Sequence, residues 1–390
     1  MLRLSVLMFC VFSITTGEFV VAGILPEIAH DLGVTTGTAG LVVTAYAVGM
    51  IIGGPVLTAL TAAANRKRLM LGLLTVGVAG NVASGLAPDF SLLLVARVLT
   101  ALVTSTFFAQ AIVVAVRSAP PERAATTVSR LVFGMNLAMI IGAPIGTAIG
   151  SQWGWRATFL AIALACLLGL GLVSLLIASP PEETRTAALA ELRVLRRRPV
   201  LLAVAVTAVG NVGVLMVFTY LAPLLTEVAG HSSNRLPTLL LGYGIGATIG
   251  NLLGGMLYDR NPLLFQPVLL GLLAGGLMSA WLVAAHTVPT AVAVVVIGVL
   301  GFAIIPGMQA RVMLAASDAP TLAMAVNASG YQVAAAGAGL LGGLIADSAA
   351  GARPIYLAAA GWTLAGLALT LAGARATGRT ARVREPIASR

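Results

Sequence analysis

The chain has 390 residues, 59% hydrophobic and only 9% charged, against roughly a quarter charged in a soluble domain, and its mean hydropathy is +1.01. That balance leaves almost nothing for a water-soluble domain and points to an all-α membrane protein. A formal charge of +10 would suit nucleic acid, but the basic residues occupy alternate gaps between apolar runs rather than one folded face, so no nucleic-acid partner is expected.

Crossing a bilayer takes about 20 apolar residues per helix. Twelve such runs are predicted, at roughly 4–25, 38–61, 69–87, 91–114, 127–150, 157–178, 200–224, 237–257, 264–284, 290–312, 322–345 and 354–373. The first is too long for a signal-peptide core and lacks a small-residue cleavage site, so it reads as a retained helix. Its middle carries Glu18, and an acid at membrane depth costs about 2.5–3.5 kcal/mol even on lenient scales. Glu18 is the one acid well inside a predicted span.

Every second gap is basic. Arg3, the Arg66-Lys67-Arg68 cluster, Arg117 and Arg123, the cluster from Arg185 to Arg198, Arg260, Arg311 and the arginine-rich tail alternate with gaps holding only Arg156, Arg235 and Arg353 alongside Glu27, Asp31, Asp89, Glu227 and Asp347. By the positive-inside rule both termini are cytoplasmic, and His30, His231 and His286 fall on the outer side. Cys10 and Cys166 lie within spans and read as small packing residues.

The longer basic loop after the sixth span divides the chain into an N-terminal six-helix half (1–178), a cytoplasmic linker (179–199), a C-terminal six-helix half (200–373) and a basic tail (374–390). Arg117-Ser118-Ala119-Pro120 after span 4 matches Ser317-Asp318-Ala319-Pro320 after span 10. GWRATFLAIALACLLGLGL from Gly154 enters span 6 as GARPIYLAAAGWTLAGLAL from Gly351 enters span 12. Two parallel, pseudo-symmetric six-helix halves are the architecture of transporters that rock around a central site.

The run TTGEFVVAGILPEIAHDLGVTTGTAGLVVTAYAVGMIIGGPV, Arg97 within LLLVARVLTAL, and the span 5 stretch Gly142-Ala143-Pro144-Ile145-Gly146 continuing to Gly150 and Trp153-Gly154-Trp155-Arg156 resemble the major facilitator superfamily, in particular its twelve-span drug:proton antiporters. FTYLAPLLTEVAG from Phe218 and DAPTL from Asp318 are similar to actinobacterial chloramphenicol-resistance efflux proteins. The resemblance covers the whole chain. It implies the major facilitator fold, with spans 1 and 4 lining a central cavity, and an antiporter motif at Gly142, Pro144, Gly146 and Gly150 that seals a leak path.

One departure stands out. Ala62 and Ala63 occupy the place of the family's Asp-Arg pair after span 2, while the second copy after span 8 keeps Gly254, Gly255, Asp259 and Arg260. The cytoplasmic gate is therefore expected to rest on Asp259 and Arg260.

At about 1.5 Å per residue, Glu18 and Arg97 lie about 10 Å and about 9 Å from the outer ends of their spans. The resemblance then allows them to meet, directly or through substrate and water, as a proton-coupling pair. Two plainer readings stay open: Glu18 hydrogen-bonded to Thr15 or backbone for packing alone, and Arg97 snorkelling to the interface. Thr15, Thr100, Thr104, Asn136, Asn211, Tyr220, Asn327, Tyr331 and Gln332 are the candidate cavity-lining polar residues. A few hydrogen-bonding groups on an apolar wall suit a small hydrophobic substrate.

The spans hold no histidine, no acid pair and no metal-ligand cluster, which disfavours a membrane-embedded enzyme, and no P-loop is present for ATP-driven pumping. The expectation is proton-driven efflux of a hydrophobic drug, chloramphenicol or a relative first by resemblance, from a monomer in the bacterial cytoplasmic membrane, with no cofactor beyond the proton gradient. Export of sugars or nucleosides is the alternative, although such solutes call for a more polar cavity.

Overall fold

The structure, a computed structural model, describes residues 2–61, 64–117, 120, 124–177, 197–316 and 320–383. Ala62 and Ala63, Ser118 and Ala119, most of the 179–199 linker, Ser317 to Ala319 and the end of the tail lie outside the described residues.

The first span is two helices, α1 (Leu2–Phe19) and α2 (Val21–Asp31), and the second is α3 (Thr36–Ala39) running into α4 (Leu41–Leu60). Spans 3 and 4 are α5 (Arg66–Gly85) and α6 (Phe90–Arg117). Span 5 is α7 (Ala124–Leu137) and α8 (Ala143–Trp153), and span 6 is α9 (Trp155–Leu176). In the second half, α10 (Arg198–Gly210), α11 (Val212–Thr219) and α12 (Leu221–Pro223) build the seventh span. α13 (Leu236–Arg260), α14 (Pro262–Val283), α15 (Thr287–Ala315), α16 (Pro320–Ala346) and α17 (Ile355–Val383) follow. Among the described residues, eleven segments are long and apolar enough to cross a membrane, and α16, at 27 residues, stands in the remaining position. An even number of spans puts both chain ends on one side, here the terminal side; Asp31, Asp89 and Asp347 mark the other, distal side.

Local sequence explains the boundaries. Asn65 and Asn261 cap α5 and α14 by accepting the backbone N–H groups of Arg68 and Leu264, both at 3.2 Å, which satisfies donors a helix start leaves open. Proline stands in the first turn of α10, α13 and α14, where its missing N–H costs nothing. Within span 5, Pro144 cannot donate to the carbonyl four residues back. The chain accommodates this with a π turn over Ala138–Gly142, a usual adjustment for a helix that must stay continuous.

The two halves repeat one packing scheme. α4 packs on α6 as α13 packs on α15, α5 on α9 as α14 on α17, and α1 on α9 as α10 on α17. Between lipid-facing helices there is no hydrophobic drive, so close backbone approach carries association. A methyl group on Gly49 would lie 2.6 Å from the Val98 carbonyl, and one on Gly246 at 2.5 Å from the Val295 carbonyl. The matched entries to spans 6 and 12 behave alike too. Gly154 and Gly351 have φ of 83° and 66°, a left-handed turn that favours glycine. Two residues on, Arg156 donates to the Ala87 carbonyl at 3.0 Å and Arg353 to the Trp281 carbonyl at 3.2 Å. Each arginine thus ties the last helix of its half to the end of the third.

Across the halves, α4 meets α16, α8 and the π turn meet α13, and α2 meets α12. Phe19 and Phe218 pack edge to face at 5.9 Å, close to the breaks in spans 1 and 7.

Candidate functional site

The first span breaks at Val20, two residues beyond Glu18, where the Gly23 N–H turns to the Val20 carbonyl at 2.9 Å. The glycine stripe of span 5 seats this segment. Methyl groups on Gly142, Gly146 and Gly150 would run into Thr16, Val20 and Ile24, so only glycine lets span 5 approach the backbone on either side of Glu18 this closely.

Arg97 projects from α6 and is fully buried; it does not snorkel. Its Nη2 donates to the Gly17 carbonyl at 2.6 Å, and its guanidinium lies 4.3 Å from the Tyr46 ring centre and 5.2 Å from that of Phe159. A planar cation between two rings is the arrangement in which arginine tolerates burial best. The Tyr46 hydroxyl is in turn bonded to Thr104 Oγ1 at 2.9 Å. Among the described residues, Nε and Nη1 of Arg97, and Oδ1 of the buried Asn81, have no hydrogen-bond partner. Both Asn81 Oδ1 and Arg97 Nη1 border the space above Gly17, at 3.5 and 3.7 Å from where a methyl would stand.

Glu18 and Arg97 form no ion pair here; Arg97 holds the residue before the acid instead. The partner of Glu18 comes from the other half. Gln332 on α16 donates through Nε2 to Glu18 Oε1 at 3.0 Å and lies 3.2 Å from Met50 Sδ on α4. One amide therefore joins spans 1, 2 and 11. Glu18 keeps part of its surface accessible, while Thr15 is buried beside it.

The other candidate polar residues fall into separate groups. Thr100 donates to the Ala96 carbonyl at 2.8 Å and Thr104 to that of Thr100 at 3.0 Å. Thr207 donates to Asn327 Oδ1 at 2.6 Å, and Asn211 Nδ2 donates to the Thr207 carbonyl at 2.8 Å beside Met308 Sδ. These three form a buried cluster inside the second half. Asn136 and Tyr331 are partly accessible. Tyr220 is fully buried in the seam between halves, donating to the Gly339 carbonyl at 2.6 Å. Asp259 and Arg260 are exposed at the terminal end of α13. Tyr46, Phe159 and Asn81 were not singled out from sequence, although a lone asparagine in an apolar span is a legible signal; the two rings carry none.

On the distal side Asp31 binds Arg156 and accepts the Trp155 indole N–H at 3.0 Å. The Arg156 hydrogen bond, with the indole adding to it, holds the Asp31 carboxyl below the usual carboxylate range. Burial instead raises Glu227 above it.

The bundle thus has two repeated six-helix halves, a carboxylate bonded across them and a guanidinium buried within the first. The profile of the Major Facilitator Superfamily matches residues 7–322. The chain belongs to the major facilitator superfamily. It is 34% identical over 342 residues to an uncharacterized MFS-type transporter of Bacillus subtilis, YtbD, covering 86% of each chain. It is 34% identical to the inner membrane transport protein YdhP of Escherichia coli K12, covering 92% of each, and 33% identical to a chloramphenicol resistance protein of Streptomyces lividans, covering 86% of each. Among solved structures, a bacterial homologue of the human lysosomal transporter Spinster, inward-facing and occupied, superposes with a TM-score of 0.77 over 95% of this chain and 96% of that one, at 15% identity. The protein is thus a multi-pass superfamily transporter of a small molecule.

Proposed function

We propose that this transporter exports a hydrophobic antibiotic, chloramphenicol or a close relative, in exchange for protons across the bacterial cytoplasmic membrane, with both termini in the cytoplasm. The observation that carries the coupling is the Gln332–Glu18 hydrogen bond between the halves, within one residue of the carbonyl held by Arg97. An amide N–H bonded to a carboxylate is charge-assisted and stronger than the same bond to a neutral acid. Protonating Glu18 therefore weakens a tie between the halves, which gives a proton differential interaction with two arrangements of the bundle, as a coupled carrier requires.

The sparseness of polar side chains along the spans and the Streptomyces relative support a hydrophobic drug, and the basic residues clustered on the terminal side support its orientation. Expression in a drug-sensitive host, with resistance and drug accumulation measured with and without an uncoupler, tests the reading. Uncoupler-sensitive resistance to chloramphenicol is expected; resistance to none of a panel of hydrophobic antibiotics, with export of a sugar or nucleoside instead, overturns it.

A further inference from the structure

We propose that Asp347 is the residue that latches the distal side shut, by capping the start of span 2 from the opposite half. Asp347 directly follows α16, and its backbone N–H is fixed to the Gly343 carbonyl at 3.0 Å. Its Oδ1 accepts the Gly37 N–H at 2.9 Å and its Oδ2 accepts the Thr35 hydroxyl at 2.6 Å. The amides at a helix start are unpaired donors carrying partial positive charge, and a carboxylate is their best complement. Here that carboxylate lies 310 residues away, so the cap exists only while the halves touch.

The surrounding seam is shaped for this contact. Tyr220 donates to the Gly339 carbonyl at 2.6 Å and lies 3.3 Å from that of Gly37. A methyl on Gly343 would stand 2.6 Å from the Gly37 carbonyl, and methyls on Gly40 and Gly342 would collide with Tyr220. Hydrogen bonds between the halves join Thr35 and Gly37 to Asp347, Thr44 to Ala336, Gly37 to Tyr220, and Glu18 and Met50 to Gln332, at the level of Glu18 or distal to it.

The latch is also built to release. Thr35 is the local cap of the same helix, accepting the Thr38 N–H at 3.0 Å, so span 2 keeps a capped end when Asp347 departs. Asp347 remains exposed, and water replaces its two bonds on opening.

The test uses the full chain in proteoliposomes, with Cys10 and Cys166 replaced by alanine and spin labels at His30→Cys and Val288→Cys, exposed distal positions in opposite halves outside the latch. Without substrate and at fixed pH, Asp347→Ala is expected to raise the long-distance population several-fold, and Asp347→Asn, which keeps an acceptor for Gly37, by less. Fluorescence-detected chromatography establishes that each variant is folded. Distance distributions of both variants identical to the parent overturn the latch. Because neither proton nor drug enters the measurement, that failure leaves the proton-coupled export reading untouched.

Discussion

Gln332 of α16 donates its amide to Oε1 of Glu18 at 3.0 Å, so the one acid deep within the spans is held by the half of the protein to which it does not belong. Removing the donor is expected to separate binding from coupling. Gln332→Ala should keep the drug affinity of wild type within a few-fold, measured by equilibrium binding, while lowering proton-driven transport by about tenfold, an effect worth about 1.4 kcal/mol. Parallel losses in both would place Gln332 on the substrate instead.

Arg97 should behave as a structural clamp on the Gly17 segment as well as a charge. Truncation to alanine removes a charge-assisted bond worth about 1.5–3 kcal/mol and two ring contacts, so Arg97→Ala should lower the thermal midpoint in detergent by several degrees. Lysine keeps the charge but not the planar stack. Arg97→Lys is therefore expected to retain most of the lost stability and little of the transport.

At the glycine stripe, Gly146→Ala drives a methyl into Val20, and overpacking of this kind costs about 1–3 kcal/mol. Combining it with Val20→Ala opens the space again. The double variant should be more stable than Gly146→Ala alone, a non-additivity that contact between the two positions demands and that thermal denaturation of the four proteins reads directly.

The Asp31–Arg156 pair sets an acid limit. Because Arg156 depresses the Asp31 carboxyl from its ordinary 3.8, the pair's stabilisation is complete above about pH 4 and is lost as pH falls through the lower folded value. The difference in thermal midpoint between wild type and Asp31→Asn should be constant from neutrality to about pH 5 and shrink only below about pH 4. A difference that already vanishes near pH 6 would contradict the assignment.

The span count, the repeat and the depth of Glu18 and Arg97 were legible because lipid makes each of them costly to place otherwise. Partners were not. Nothing in the sequence around Tyr46 or Phe159 separates a ring that stacks on arginine from one that faces lipid, since both read as apolar helix. Asp347 looks like a solvated loop acid until the fold brings Gly37 to it across 310 residues. Tyr220 reads as a cavity residue by polarity, and the structure uses its hydroxyl to bridge helix backbones. In each case the missing information is the rotation of one helix against another, which a twelve-span periodicity leaves free.

The central claim is that Glu18 carries the proton. Purified wild type and Glu18→Gln, reconstituted into vesicles, can be compared for chloramphenicol movement under an imposed pH gradient and for drug-for-drug exchange without one. Glu18→Gln should exchange drug at close to the wild-type rate yet show no response to the gradient; gradient-driven accumulation equal to that of wild type would contradict the account.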